Sequence, residues 1–124
     1  IISGEIPCHK MAENEHCFAF LDMSPVAEGH TLVVPKQETD YLFDLDADTY
    51  AALMDFCKQI APAIRQAVPC LKVGVAVIGL EVAHAHVHLI PLQSVQDLNF
   101  SKPKLQMSQE ALAATAERIR QNLG

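Results

Sequence analysis

The sequence predicts an α+β domain in which an antiparallel β-sheet carries one long central helix and a C-terminal helix. Apolar and β-branched runs typical of strands fall in residues 16–21, 30–35 and 71–78, and amphipathic helical patterns cover residues 46–67 and 108–123. Because strands dominate the middle of the chain and helices lie between and after them, an antiparallel sheet is favoured. The chain has 124 residues, half of them hydrophobic, so we expect a single domain over its whole length, residues 1–124.

The first third of the chain predicts a β-hairpin. Residues 16–21 are apolar and rich in aromatic side chains, and residues 30–35 are β-branched and end at a proline. The intervening residues 22–29 contain Asp, Ser, Pro and Gly, which indicates a loop. A short first strand is predicted over residues 8–12.

Both predicted helices begin at a residue suited to capping. Asp46 is a good N-cap for the long helix, and Ser108 is a good N-cap for the C-terminal helix. Pro62 lies inside the long helix and predicts a kink or a break there. The near-continuous apolar run at residues 71–78 predicts a central, buried strand, and Gly79 predicts a turn after it.

Composition and charge narrow the class of protein. The chain has 15 acidic and 9 basic residues and a net charge of −6, without a cluster of Lys and Arg, so we expect no nucleic-acid partner. The four cysteines are scattered without a Cys-x-x-Cys pair, which argues against a zinc ribbon or a redox motif. No stretch resembles a signal peptide, and the longest apolar run, residues 73–80, is too short to span a membrane. We therefore expect a cytoplasmic protein with reduced cysteines and no membrane partner.

Three of the six histidines recur at every second residue, at His84, His86 and His88. Period-two spacing predicts a strand over residues 82–92, in which these imidazoles share one face about 7 Å apart. Such a row is compatible with three chemistries. Neutral rings bind transition metals, one ring can be a nucleophile that forms a covalent intermediate, and a protonated ring can bind phosphate or donate a proton.

The pattern His-φ-His-φ-His-φ-φ, where φ is apolar, resembles the defining motif of the histidine-triad (HIT) nucleotide hydrolases and transferases. Residues 84–90 match every position, and residues 4–7, 18–25 and 29–36 resemble the N-terminal half of that family. The resemblance implies a HIT-like fold, a purine nucleotide substrate, a homodimer that shares one sheet, and neither a metal nor another cofactor. The short chain is more similar to the Hint-like nucleoside phosphoramidase branch than to the transferase branch.

The resemblance implies roles for four histidines. His86 is similar to the family's nucleophile, which would attack the α-phosphorus of a nucleotide and form a nucleotidyl-histidine that water then opens. His84 would help to orient this nucleophile, and His88 would contact the phosphate. His30 resembles a fourth histidine that hydrogen-bonds within the cluster; a histidine at a strand edge without such a role is the alternative.

The stretch Phe20-Leu21-Asp22-Met23 resembles the family's ribose-binding segment. A carboxylate at Asp22 only accepts hydrogen bonds, which suits the 2′- and 3′-hydroxyls of ribose. Phe20 and Met23 would flank the base. A turn role for Asp22 and core positions for its apolar neighbours are the alternatives.

The segment before the triad departs from the family pattern. The family usually has Gly-Gln-x-Val-x-His, whereas this chain has Gly79-Leu80-Glu81-Val82-Ala83-His84. Its nucleotide-binding candidates in this segment are Gly79, Leu80, Glu81 and Val82. Leu80 cannot make the polar contact of a glutamine. Ser or Thr is frequent at the next position, where the carboxylate of Glu81 would repel a phosphate unless it points away or is protonated.

Three functions are left open by these residues. The first is a hydrolase that cleaves a nucleotide phosphoramidate or a dinucleoside polyphosphate at the α-phosphorus through His86. The second is a nucleotide-binding or regulatory module with little turnover, because the polar residues before the triad are missing. The third is a metal protein that uses the histidine row together with His9 or His16, against which stands the lack of Cys/His spacing typical of a tetrahedral site.

Overall fold

The structure of the protein is a computed structural model that describes residues 9–123. Five strands form one antiparallel sheet: β1 (Lys10–Glu13), β2 (Cys17–Leu21), β3 (Thr31–Pro35), β4 (Lys72–Ala76) and β5 (Val87–Leu92). Two helices, α1 (Ala47–Ala67) and α2 (Gln109–Gln121), accompany short 3₁₀ turns at Leu42–Asp44 and Val95–Leu98. The predicted α+β class, with an antiparallel sheet, a long helix and a C-terminal helix, is confirmed.

The order of the strands in the sheet is β1-β2-β3-β5-β4. The predicted hairpin is present, with β2 and β3 paired in register from Cys17 opposite Pro35 to Leu21 opposite Thr31. The chain then leaves the sheet through α1 and returns as β4, and β5 inserts between β3 and β4. The strand that carries the third histidine of the motif therefore lies beside the hairpin.

Both helices pack on one face of the sheet, where they bury the main core. Alternate strand residues point toward them, as the strand period requires. This core includes the buried side chains of Leu21, Val33, Leu53, Ile60, Ile64, Val87, Leu89, Leu112 and Ile119. The opposite face of the sheet is left to the candidate site.

The helices begin where the capping residues predict. The Asp46 side chain accepts a hydrogen bond of 2.7 Å from the Thr49 N–H, and Ser108 Oγ accepts one of 3.0 Å from the Ala111 N–H. Of the kink or break predicted at Pro62, the break is wrong, because α1 runs through this residue without interruption. Pro62 is exposed, so its ring lies toward solvent while the apolar stripe of the helix stays packed on the sheet.

The prediction of a central, buried strand at residues 71–78 is also wrong. This strand, β4, lies at the edge of the sheet because β5 takes the inner position beside β3. Its Val75 side chain is 52% exposed, and Val77 and Ile78, which follow the strand, are exposed as well. An apolar run of this length is compatible with either position in a sheet.

The three cysteines that lie within the described residues are free. Cys17 and Cys57 are buried and Cys70 is half-buried. Burial raises the pKa of the Cys57 thiol to about 12, which keeps it protonated and unreactive at neutral pH. Between residues 9 and 123, no helix combines the length and the apolar character that crossing a membrane requires.

Candidate active site

The histidine row is only partly a strand. His88 lies in β5, whereas His84 and His86 lie in the loop before it, because the sheet pairing begins at Val87. The prediction of a strand over residues 82–92 with three rings on one face is therefore wrong for its first half. The chain bends before Val87, and the His86 and His88 rings come to 4.9 Å between centroids, closer than a flat strand would place them.

This loop is fixed to the end of the hairpin by two hydrogen bonds. His84 Nε2 lies 2.8 Å from the carbonyl oxygen of Pro35, which can only accept, so Nε2 carries a proton and donates it. The Ala85 N–H donates to the Thr39 carbonyl at 2.7 Å. His84 thus holds the loop against β3.

The tautomer of His86 follows from its hydrogen bond. His86 Nδ1 lies 2.8 Å from the carbonyl oxygen of His84, which again can only accept. Nδ1 therefore carries the proton. In the neutral ring, Nε2 then holds an unshared electron pair, as a nucleophilic nitrogen must.

His30 and His88 form a buried pair whose protons are fixed by the backbone. The Val26 N–H donates to His30 Nδ1 at 3.1 Å, so the neutral His30 ring carries its proton on Nε2. That proton is donated to His88 Nδ1 at 2.9 Å, which leaves the proton of His88 on Nε2. His30 is 1% exposed and His88 is 8% exposed. His30 therefore lies within the cluster, as predicted.

Burial keeps both rings of this pair neutral. Desolvation, followed by the positive charge of Lys104, lowers the pKa of His30 to about 4. Desolvation, followed by the neighbouring imidazoles, lowers the pKa of His88 to about 4 as well. The pair is uncharged at pH 7, so the approach of Asp22 Oδ2 to 3.6 Å from His30 Nε2 is not an ion pair at that pH.

Asp22 lies at the end of β2 beside this pair. Its Oδ1 accepts a hydrogen bond of 2.8 Å from the Ser24 N–H, which is the turn role considered above. Its N–H donates to the His30 carbonyl at 2.9 Å, so the residue is tied to the histidine pair through the backbone as well. The carboxylate is partly exposed and keeps further acceptor capacity for a ligand.

Ligand atoms of Asp22, His30 and His88 all lie within 4.8 Å of one another, a spacing that a metal ion could occupy. The 2.9 Å between His30 Nε2 and His88 Nδ1 is a hydrogen-bond distance. Two nitrogens on a tetrahedral zinc ion, each about 2.0–2.1 Å from the metal, would be about 3.3 Å apart. The two imidazoles are therefore spaced for a hydrogen bond between them, and a metal ion would have to displace the proton of that bond.

The sheet face that carries the histidines also carries a small apolar cluster. Phe18 and Phe20 from β2 pack beside Val34 and Leu32 from β3, with the two phenyl rings 5.3 Å apart. Phe20 is thus on the site face, in a packed apolar cluster. Leu21, by contrast, points into the main core on the other face, so that only its backbone faces the site.

The remaining predicted nucleotide-binding residues lie on the surface. Met23 is exposed in the loop after Asp22. Leu80, Glu81 and Val82 are exposed in the loop before the triad, and Leu80 is 88% exposed. Gly79 has a φ of +67°, a backbone conformation that favours glycine and turns the chain out of β4.

Two residues near the histidine pair were not predicted from the sequence. The Phe100 ring lies 5.0 Å from the His88 ring and 6.0 Å from the His30 ring, between centroids. The Lys104 ammonium lies 5.4 Å from the Phe100 ring centroid. Both residues belong to the segment between the second 3₁₀ turn and α2, which has no sequence pattern that would bring it to the site.

Comparisons with known proteins agree on one family. The HIT domain model matches residues 3–95. The chain is 31% identical over 121 residues to an adenosine 5′-monophosphoramidase of Schizosaccharomyces pombe, covering 96% of this chain and 91% of that protein. It is 30% identical over 131 residues to an uncharacterized HIT-like protein of Borreliella burgdorferi, covering 99% and 94%.

A solved structure is similar over the same extent. A hypothetical histidine triad nucleotide-binding protein from Sulfolobus tokodaii superposes with a TM-score of 0.84 at 29% identity, covering 99% of this chain and 88% of that one. Sequence motif, sheet topology and histidine cluster thus lead to the same conclusion: the chain belongs to the HIT family.

Proposed function

We propose that the protein is a hydrolase that cleaves a purine nucleotide phosphoramidate, or a dinucleoside polyphosphate, at the α-phosphorus with His86 as nucleophile. The observation that carries this proposal is the hydrogen bond from His86 Nδ1 to the His84 carbonyl, because it leaves Nε2 with its electron pair. The similarity to an adenosine 5′-monophosphoramidase supports a phosphoramidate as substrate.

The first step joins His86 to the nucleotide. The Nε2 electron pair forms a bond to the α-phosphorus, the bond from phosphorus to the leaving amine breaks, and the amine takes up a proton from water. Positive charge develops on the His86 ring in this step. The His84 carbonyl oxygen, which accepts a hydrogen bond from Nδ1–H with an N···O distance of 2.8 Å, stabilises that charge.

The second step releases the product. Water adds to phosphorus, the bond between phosphorus and Nε2 breaks, and the electron pair returns to His86 while a proton is lost to solvent. Throughout both steps the His88 Nε2 proton, which His30 keeps in place through His88 Nδ1, is available to a phosphate oxygen.

We place the nucleoside end of the substrate at the hairpin in this proposal. The Asp22 carboxylate, which keeps acceptor capacity after its bond to the Ser24 N–H, would accept from the ribose hydroxyls. The apolar face formed by Phe18, Phe20 and Leu32 offers a surface on which a base could pack.

Leu80 and Glu81 define the alternative, a binding module with little turnover. Both are exposed, and neither supplies the neutral polar side chain that the family usually has there. Such a module would bind adenosine monophosphate (AMP) while cleaving no phosphoramidate, so it differs from the hydrolase in one measurable property.

We also propose that the protein is a homodimeric single domain of the cytoplasm. The apolar, partly exposed edge strand β4, with Val75 and the following Val77 and Ile78, supports pairing of two copies along this edge. Sedimentation equilibrium should report twice the 13.6 kDa mass of the chain, and Val75→Lys should shift the protein toward the monomer.

The test of the hydrolase is turnover of adenosine 5′-phosphoramidate by the wild type, by His86→Ala and by His16→Ala. His16 is an exposed histidine outside the cluster and serves as the matched control. We expect His86→Ala to lose at least about a thousandfold in kcat/KM and the control to keep it. Wild-type protein that binds AMP but shows no turnover above background would instead establish the binding module.

A further inference from the structure

The segment between the second 3₁₀ turn and α2 covers the buried histidine pair. The Leu105 N–H donates to the Pro25 carbonyl at 2.8 Å, which ties this segment to the loop that follows Asp22. Phe100 contacts both imidazole rings of the pair from this segment. A ligand bound at His88 would therefore lie close to residues 99–105.

Lys104 is folded back over this contact. Its Nζ donates a hydrogen bond of 2.6 Å to the Phe100 carbonyl and lies 5.4 Å from the centroid of the Phe100 ring, a cation–π distance. Lys102, two residues earlier, instead directs its Nζ toward the Gln96 carbonyl at 3.4 Å. Of the two lysines in the segment, Lys104 is the one held over the aromatic ring that contacts the histidines.

The charges around the pair leave an anionic substrate with few partners. His30 and His88 are neutral at pH 7, and Asp22 contributes a negative charge. Lys104 is close enough for its charge to lower the pKa of both His30 and His88. Leu80 and Glu81 offer no positive charge either, so a cation from elsewhere in the chain would add an attraction for phosphate that these residues lack.

We propose that Lys104, held over Phe100, is a substrate-binding residue whose ammonium attracts the phosphate of a nucleotide bound beside His86 and His88. The proposal rests on the nucleotide site described above and adds to it a residue beyond positions 3–95 that the family model matches. It also explains how a chain with a net charge of −6 concentrates an anionic ligand at this place.

The experiment compares binding of AMP and of adenosine to the ligand-free protein by titration calorimetry. Lys104→Met should weaken AMP binding about five- to tenfold at low ionic strength, because one charge-assisted interaction is lost. Adenosine carries no phosphate, so its affinity should stay the same. Lys104→Arg should restore most of the AMP affinity, and Lys102→Met is the matched control that should change neither ligand.

Salt supplies a second readout. The ratio of AMP affinities between wild type and Lys104→Met should shrink toward one as the ionic strength rises to about 1 M, where charges are screened within about 3 Å. In turnover assays the same variant should raise KM with little change in kcat, since the attraction acts on the bound substrate and on the transition state alike.

The possible failures are distinguishable. Unchanged AMP binding in Lys104→Met, or an equal loss of AMP and adenosine affinity, would overturn the role of Lys104 while leaving the nucleotide site in place. Wild-type protein that binds neither AMP nor adenosine would refute the nucleotide site itself and, with it, this assignment.

Discussion

His30→Phe tests the proton arrangement of the buried pair. The ring of His30 is 1% exposed and makes two hydrogen bonds, from the Val26 N–H at 3.1 Å and to His88 Nδ1 at 2.9 Å. Phenylalanine fills a similar volume but leaves both partners unsatisfied in an environment with little water. Each buried donor or acceptor without a partner costs about 1–3 kcal/mol, so with two such groups we expect the free energy of unfolding to fall by about 2–6 kcal/mol.

The same substitution should change the chemistry of His88. Without the His30 Nε2 proton, nothing fixes His88 Nδ1 as an acceptor, and the ring can move its own proton from Nε2 to Nδ1. The fraction of His88 that offers an Nε2 proton to phosphate then falls, and we expect at least about a tenfold loss of kcat/KM on a phosphoramidate.

Urea denaturation at pH 7.5 measures the first effect, and nitrogen chemical shifts of the His88 ring report the tautomer. His16→Phe is the control, since His16 is exposed and its replacement should stay within about 0.5 kcal/mol of wild type. If His30→Phe were as stable as this control and kept the His88 tautomer, the proton chain from Val26 through His30 to His88 would be wrong.

Three further outcomes follow from the structure. In the folded protein the pKa values of His30 and His88 are lowered from 6.5 to about 4, so the unfolded chain takes up protons at a higher pH than the folded one. The free energy of unfolding should therefore decrease as the pH falls from about 6.5 to about 4. By linkage, the pKa difference of one histidine of the pair corresponds to about 3 kcal/mol of the free energy of unfolding. In urea denaturation at several pH values, the free energy of unfolding should therefore change more steeply with pH in wild type than in His30→Phe. Pro62→Ala should raise the free energy of unfolding by about 1–3 kcal/mol, measured by urea denaturation, because α1 is continuous there and regains a backbone hydrogen bond. Asp22→Asn should keep the hydrogen bond from the Ser24 N–H, so the free energy of unfolding should stay within about 1 kcal/mol of wild type. The same substitution should weaken adenosine binding at least about fivefold in calorimetry. Unchanged adenosine affinity would show that Asp22 serves only the turn.

Local sequence signals were sufficient for much of the fold. Asp46 and Ser108 cap the helices as their side chains predict, because capping depends on a few neighbouring residues. The β2–β3 hairpin is likewise defined by two β-rich runs around a loop of turn-forming residues. In both cases the interactions that fix the element lie close together in the sequence.

The errors concern properties that depend on distant parts of the chain. The apolar run at residues 71–78 does not reveal that β5 will take the inner position in the sheet and leave β4 at the edge. The alternation of His84, His86 and His88 is the same whether the sheet begins at residue 82 or at Val87, since pairing with β3 decides where the strand starts. Periodicity therefore identified the histidines but not their geometry.

In the candidate site, too, the sequence identified some residues, whereas others are brought in only by the tertiary structure. The triad motif identified His86 and His88, and the resemblance added His30, which the structure places against His88. Phe100 reaches the pair, and Lys104 lies over Phe100, only because the chain crosses back after β5 and is tied to Pro25. No spacing or composition in residues 99–105 predicts such a tertiary contact.

The proposed hydrolase requires that His86 Nε2 forms a covalent bond to phosphorus. The most direct measurement is intact and peptide mass spectrometry of the protein quenched, under alkaline conditions, during turnover of adenosine 5′-phosphoramidate. We predict one added adenylyl group on the peptide that contains residues 84–88, located on His86 and absent from His86→Ala. Turnover that proceeds without such an adduct in rapid-quench samples, or that persists in His86→Ala, would show that His86 is not the nucleophile.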